Sequence, residues 1–157
     1  MHFTAIHFLS RFFHRTTIHF TFITKLSFAA DYRSIKEVTS KANLRAGPGR
    51  WYPIKWVIKK PSLPIKIIDE NEDFLLALLH DGTKYWIYKD LTDNNHNLIV
   101  IKDTVIKNKK GKVIAKVLKD VIIKEHDCSE KKYTNLCKVK IDKIKGFIYK
   151  SNLWGYN

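Results

Sequence analysis

The chain predicts an all-β fold, two small β-barrels in tandem, and three observations carry that expectation. Apolar runs of about five residues recur at 54–58, 63–68, 74–79 and 85–88. Polar turn clusters separate them at 60–62, 69–73 and 80–82. Short runs bounded by turn residues are antiparallel strands, since a helix needs about ten or more periodic positions. The third observation is an internal repeat, in which Trp86-Ile87-Tyr88-Lys89 and Phe147-Ile148-Tyr149-Lys150 align aromatic for aromatic.

Taken in order, residues 1–30 carry Arg11, Arg15 and Lys25 and no acid, then Ala29-Ala30 and the first acid, Asp31. A basic leader, an apolar stretch over 18–28 and small residues at Ser27 and Ala29 read as a secretory signal peptide. Lys25 inside the apolar stretch and His2, His7, His14 and His19 leave an uncleaved N-terminal anchor or a mis-assigned start as alternatives. No apolar run reaches the roughly 20 residues of a membrane span. The histidines have no second ligand set at zinc spacing, so no metal and no cofactor is expected.

The first domain is expected over 35–92. A segment of two-residue period from Val38 to Arg45 runs into Gly47-Pro48-Gly49, which turns the chain because Pro48 fixes its own φ and the glycines permit φ > 0. Arg50, Trp51, Tyr52 and Pro53 follow on the loop before the strand at 54–58. Large aromatics on a turn are hard to bury and point to a surface groove. Asp81-Gly82 is the best hairpin in the chain. The polar segment 93–97 reads as the linker, and 98–157 as the second domain, with strands at 114–117, 121–123, 136–140 and 146–150.

Ala42-Asn43-Leu44-Arg45-Ala46-Gly47-Pro48, Tyr52-Pro53-Ile54-Lys55-Trp56-Val57, Leu63-Pro64-Ile65 and Asp81-Gly82-Thr83 resemble the bacterial SH3-like family. In the second half Cys137-Lys138-Val139, Gly146-Phe147-Ile148 and Asn152-Leu153-Trp154-Gly155 resemble the same family in its tandem form. The resemblance implies SH3-like barrels that bind cell-wall peptide or protein segments and often accompany catalytic domains. The chain departs from the family at Leu75 and Leu136, where tryptophan is usual, and at Tyr85, where glycine is usual. The second half has Asn108-Lys109-Lys110-Gly111 in place of the Gly-Pro turn, so its loop lacks the aromatic cluster.

Cys128 and Cys137 flank a loop between two expected strands, so they can meet across the base of a hairpin. In an exported protein such a pair forms a disulfide. Neither sits in a catalytic arrangement: His126 shares a strand face with Cys128 but makes no dyad. There is no nucleophile elbow, phosphate-cradling glycine loop or metal-ligand spacing, so the chain is not expected to be an enzyme.

Function therefore reads as a non-catalytic, periplasmic or secreted binding module for cell-wall peptide or an envelope protein. Its expected site is Arg45, Trp51, Tyr52, Trp56, Trp86 and Tyr88, with Arg45 pairing a ligand carboxylate and at least one of Trp56 and Trp86 filling the core. The rival reading is a basic protein for nucleic acid or another anionic surface. The formal charge is +14, and eight lysines (102, 107, 109, 110, 112, 116, 119 and 124) crowd residues 98–124 against Asp103 and Asp120. That strip has no aromatic on which bases could stack, which argues against nucleic acid. The abundance of Ile, Lys and Asn offers a compositional explanation of the charge.

Overall fold

A computed structural model describes residues 31–129 and 134–156. The expected leader, 1–30, lies outside the described residues. Among the described residues fifteen strands, β1 to β15, and two 3-10 turns make an all-β fold, with no α-helix. No helix there is long and apolar enough to cross a membrane.

The first unit consists of β1 (Asp31–Ile35), β2 (Ala42–Arg45), β3 (Ile54–Ile58), β4 (Pro64–Asn71), β5 (Phe74–Leu78), β6 (Lys84–Tyr88) and β7 (Thr92–Asp93), in the sheet order β3-β2-β6-β5-β4-β1-β7. The second unit consists of β8 (Leu98–Val100), β9 (Thr104–Lys107), β10 (Val113–Val117), β11 (Ile122–Ile123), β12 (Glu125–Asp127), β13 (Leu136–Ile141), β14 (Ile144–Tyr149) and β15 (Leu153–Trp154). Its strand orders, β10-β9-β14-β13-β12 and β11-β8-β15, retrace the first unit. The difference is that the counterpart of β4 breaks at Lys124 into β11 and β12, so one sheet becomes two.

The two-residue period decides what is inside. On β6, Ile87 is fully buried while Trp86 and Tyr88 point to the other face, and on β14 Ile148 is fully buried in the same way. Leu44, Ile65, Leu75, Ala77 and Ile87 form the first core. Leu98, Val100, Ile106, Val139, Ile148 and Cys137 form the second. Leu75 is a fully buried core residue, and Tyr85 packs against the same core opposite its cross-strand partner, the small Ala77.

Three boundaries differ from the sequence expectation. The first unit takes in Asp31 to Ser34, ahead of the expected start, because Tyr32 and Ser34 are buried and β1 pairs with β4. The strand before the loop is only Ala42–Arg45: Val38 is 91% exposed beside a turn closed by Thr39 N–H donating to Lys36 O. The connecting segment 93–97 is docked rather than free. Ser34 Oγ donates to Asn95 O at 2.7 Å, and Asn97, itself buried, donates from Nδ2 to Ser62 O at 2.9 Å.

The units share apolar packing as well. Ile99 is fully buried in the first unit's core, with Ile101, Ile122 and Trp154 packed against it. Trp154 meets Tyr32 edge to face at 5.2 Å, and Lys60 Nζ donates to Asp120 O at 2.5 Å across the junction. The Asp81-Gly82 hairpin forms as expected: Gly82 takes φ +86°, and Gly82 N–H donates to Leu79 O at 3.0 Å. The Thr83 hydroxyl and amide both donate to Asp81, which holds its carboxyl below the usual range. That contribution is present at neutral pH and is lost as pH falls through the lowered value.

Cys128 and Cys137 form a disulfide, a bond compatible with an oxidising compartment. Thiol titration of the denatured, unreduced chain should find no free thiol, and reduction should lower stability by about 2–3 kcal/mol. Two titratable thiols would show that the bond is absent. Trp154→Ala should lower the urea midpoint of the whole chain by the equivalent of about 2–3 kcal/mol, because it opens the junction. An unchanged midpoint would mean the units are energetically independent.

Candidate functional site

The loop between β2 and β3 is built by its own hydrogen bonds. Gly49 N–H donates to Gly47 O at 3.0 Å across Pro48, a three-residue turn that the fixed φ of proline suits. A second turn follows, with Tyr52 N–H donating to Gly49 O at 3.2 Å, and Ala46 N–H closes the loop on Pro53 O at 3.1 Å. Arg45 completes it: its Nη1 donates to Arg50 O at 2.8 Å and to Tyr52 O at 2.7 Å. The guanidinium expected to meet a ligand carboxylate thus holds the loop in shape.

The glycines serve a purpose other than the one the sequence suggested. The positive-φ glycines are 82, 111 and 155; Gly47 and Gly49 are not among them. A Cβ on Gly47 would meet the Tyr52 ring at 2.5 Å, and one on Gly49 would meet the Trp51 indole at 2.5 Å. The missing side chains let both rings come close against the loop backbone, their centroids 5.8 Å apart. Trp51 is 80% exposed and Tyr52 38%.

The strand register extends this surface across the sheet. Ile54, Arg45, Trp86, Leu76 and Asp69 are successive cross-strand partners on β3, β2, β6, β5 and β4, so they form one row on the face away from the core. Phe74 and Tyr88 make the next row, with rings 5.5 Å apart. Arg50 reaches from the loop and lies over the Tyr88 ring at 5.0 Å. Loop and sheet therefore present one surface of Trp51, Tyr52, Arg50, Tyr88 and Trp86, and Phe74, itself buried, packs against the Tyr88 ring.

Of the residues expected at the site, Trp51, Tyr52, Arg45, Trp86 and Tyr88 come together. Trp56 does not join them: on the edge strand β3 its cross-strand partner is the buried Leu44 rather than a residue of the outward row, and it is 63% exposed. The expectation that Trp56 or Trp86 fills the core is corrected, since Ile87 occupies the inward position between Trp86 and Tyr88. Arg50 and Phe74 were not anticipated. The alternation along 74–78 held the signal for Phe74, but only the register sets it beside Tyr88.

No family model matches the chain, and no curated protein matches it. Among solved structures it is similar to NlpC2 from Trichomonas vaginalis, with TM-score 0.38 and 12% identity over 82% of this chain and 49% of that one. It is also similar to NlpC1 from Trichomonas vaginalis, with TM-score 0.36 and 12% identity over 82% of this chain and 46% of that one. The chain spans about half the length of these structures. At these TM-scores neither likeness carries fold or function over.

Gly49→Ala should push the Trp51 indole off the loop while leaving the fold intact, because the displaced ring is exposed. In an amide and indole NMR spectrum the Trp51 indole resonance should move, and those of Trp86 and Trp154 should stay. A Trp51 resonance that does not move would show that the ring does not rest on Gly49.

Proposed function

We propose that the chain is a non-catalytic, exported binding module of the bacterial SH3-like kind, periplasmic or secreted, which takes a cell-wall peptide or an envelope protein segment. The observation that carries this reading is the exposed pair Trp51 and Tyr52, held on a hydrogen-bonded loop beside an outward aromatic sheet face. Rigid aromatics give large contact area at little cost in side-chain entropy, and a loop already in shape loses little more on binding. The repeated strand order of the two units and the disulfide support a tandem, exported protein.

Each side chain has a part in the reading. Trp51 and Tyr52 form the apolar contact, Trp86 and Tyr88 floor the surface, Arg50 offers a cation above Tyr88, and Arg45 acts as the positioning residue for the loop. Replacing Trp51 and Tyr52 together by alanine should leave the melting temperature nearly unchanged. Binding to muropeptides or a partner peptide, measured by calorimetry, should weaken by about 2 kcal/mol or more. Melting at a much lower temperature would make these residues structural, and unchanged binding would remove the surface from recognition.

A further inference from the structure

The positive charge is divided unevenly along the chain. Residues 31–97 carry 11 basic side chains against 9 acidic, while residues 98–157 carry 15 lysines against 6 acidic. The structure gathers many of those lysines at one end of the second unit. Phe147 of β14 pairs antiparallel with Lys107 of β9, so the turn at 108–112 that follows β9 stands beside the turn at 142–143 that precedes β14. Lys109, Lys110, Lys112, Lys143 and Lys145 all lie at this end and are exposed. None of the five has a carboxylate at ion-pair distance among the described residues, whereas Lys140 nearby is paired with Glu125 at 2.6 Å.

Aliphatic side chains are exposed at the same tips. Val113 is 49% exposed, Ile114 43% and Ile144 41%, and no aromatic residue lies in 108–114 or 141–146. A soluble polyanion would be attracted by the lysines but would leave these aliphatics in water. Single-stranded nucleic acid would in addition want rings to stack on. An anionic bilayer rewards both features together, because lysines gain at the charged surface and aliphatic tips gain at the headgroup boundary.

We infer that the paired tips at 108–114 and 141–145 dock on an anionic lipid surface, with the five lysines facing headgroups and Val113, Ile114 and Ile144 entering the interface. The first unit's aromatic surface is not required for this contact.

The test is co-sedimentation of the full, oxidised chain with vesicles of phosphatidylcholine, alone or with about 30 mol% phosphatidylglycerol. Binding should be confined to the anionic vesicles and should weaken with salt. Lys109→Ala, Lys110→Ala and Lys143→Ala together should lower partitioning by on the order of 100-fold, and the matching arginine substitutions should retain it. Val113→Ser with Ile144→Ser should lower it by about fivefold or more, with circular dichroism and melting unchanged. The Trp51→Ala, Tyr52→Ala variant should bind vesicles as the parent does. Absence of binding to anionic vesicles would overturn the inference, as would loss of binding in the aromatic variant. Binding to soluble polyphosphate together with an unaffected Val113→Ser, Ile144→Ser variant would assign the lysines to a soluble polyanion instead.

Discussion

Everything presented at the surface of the first unit depends on the pairing of β2 with β6, where Leu44 lies opposite Ile87 and Arg45 opposite Trp86. Leu44 and Ile87 are both fully buried, and a strand that commits one side chain inward commits its neighbours outward. A slip of one residue would bury Trp86 and Tyr88 and expose Ile87, at the cost of the whole core row. The same pairing points Arg45 outward at the mouth of the loop, where it reaches two loop carbonyls. Core packing and loop shape are thus set by one register.

The second unit repeats this arrangement with different side chains. The row Ile54, Arg45, Trp86, Leu76 and Asp69 has its counterpart in Val113, Lys107, Phe147, Lys138 and Asp127. A cation lies over the tyrosine that ends β6 and over the one that ends β14, Arg50 over Tyr88 and Lys107 over Tyr149, both at 5.0 Å. Around this common frame the loops diverge. The first unit has a two-turn aromatic loop at 46–53, while the second has a short turn in which Gly111 takes φ +80° and Asn108 Oδ1 accepts from the amides of Lys110 and Lys112. One duplicated scaffold therefore carries an aromatic surface in one copy and a lysine-rich end in the other.

The two copies do not behave as beads on a string. Ile99 is buried in the first core, Trp154 packs on it from the last strand, and Ser34 and Asn97 tie the connecting segment down. Apolar burial at such a junction removes the independence that a polar linker suggests. It also holds the aromatic surface and the lysine-rich end in a fixed relation.

The sequence by itself determined most of the strands, the duplication, the Asp81-Gly82 hairpin and the cysteine pair. Each depends on neighbours in the chain: alternation, turn residues with their own φ preference, and two thiols across a short loop. It also singled out Trp51 and Tyr52, since rings on a Gly-Pro-Gly turn have nowhere to be buried. What it could not supply was which strand lies beside which. That alone decided that Trp56 falls outside the site, that Phe74 and Arg50 belong with Tyr88, and that the turns at 108–112 and 142–143 stand together. Gly47 and Gly49 show the same limit: their composition says turn, but their reason is the space two rings need above the backbone, a contact only the folded loop creates.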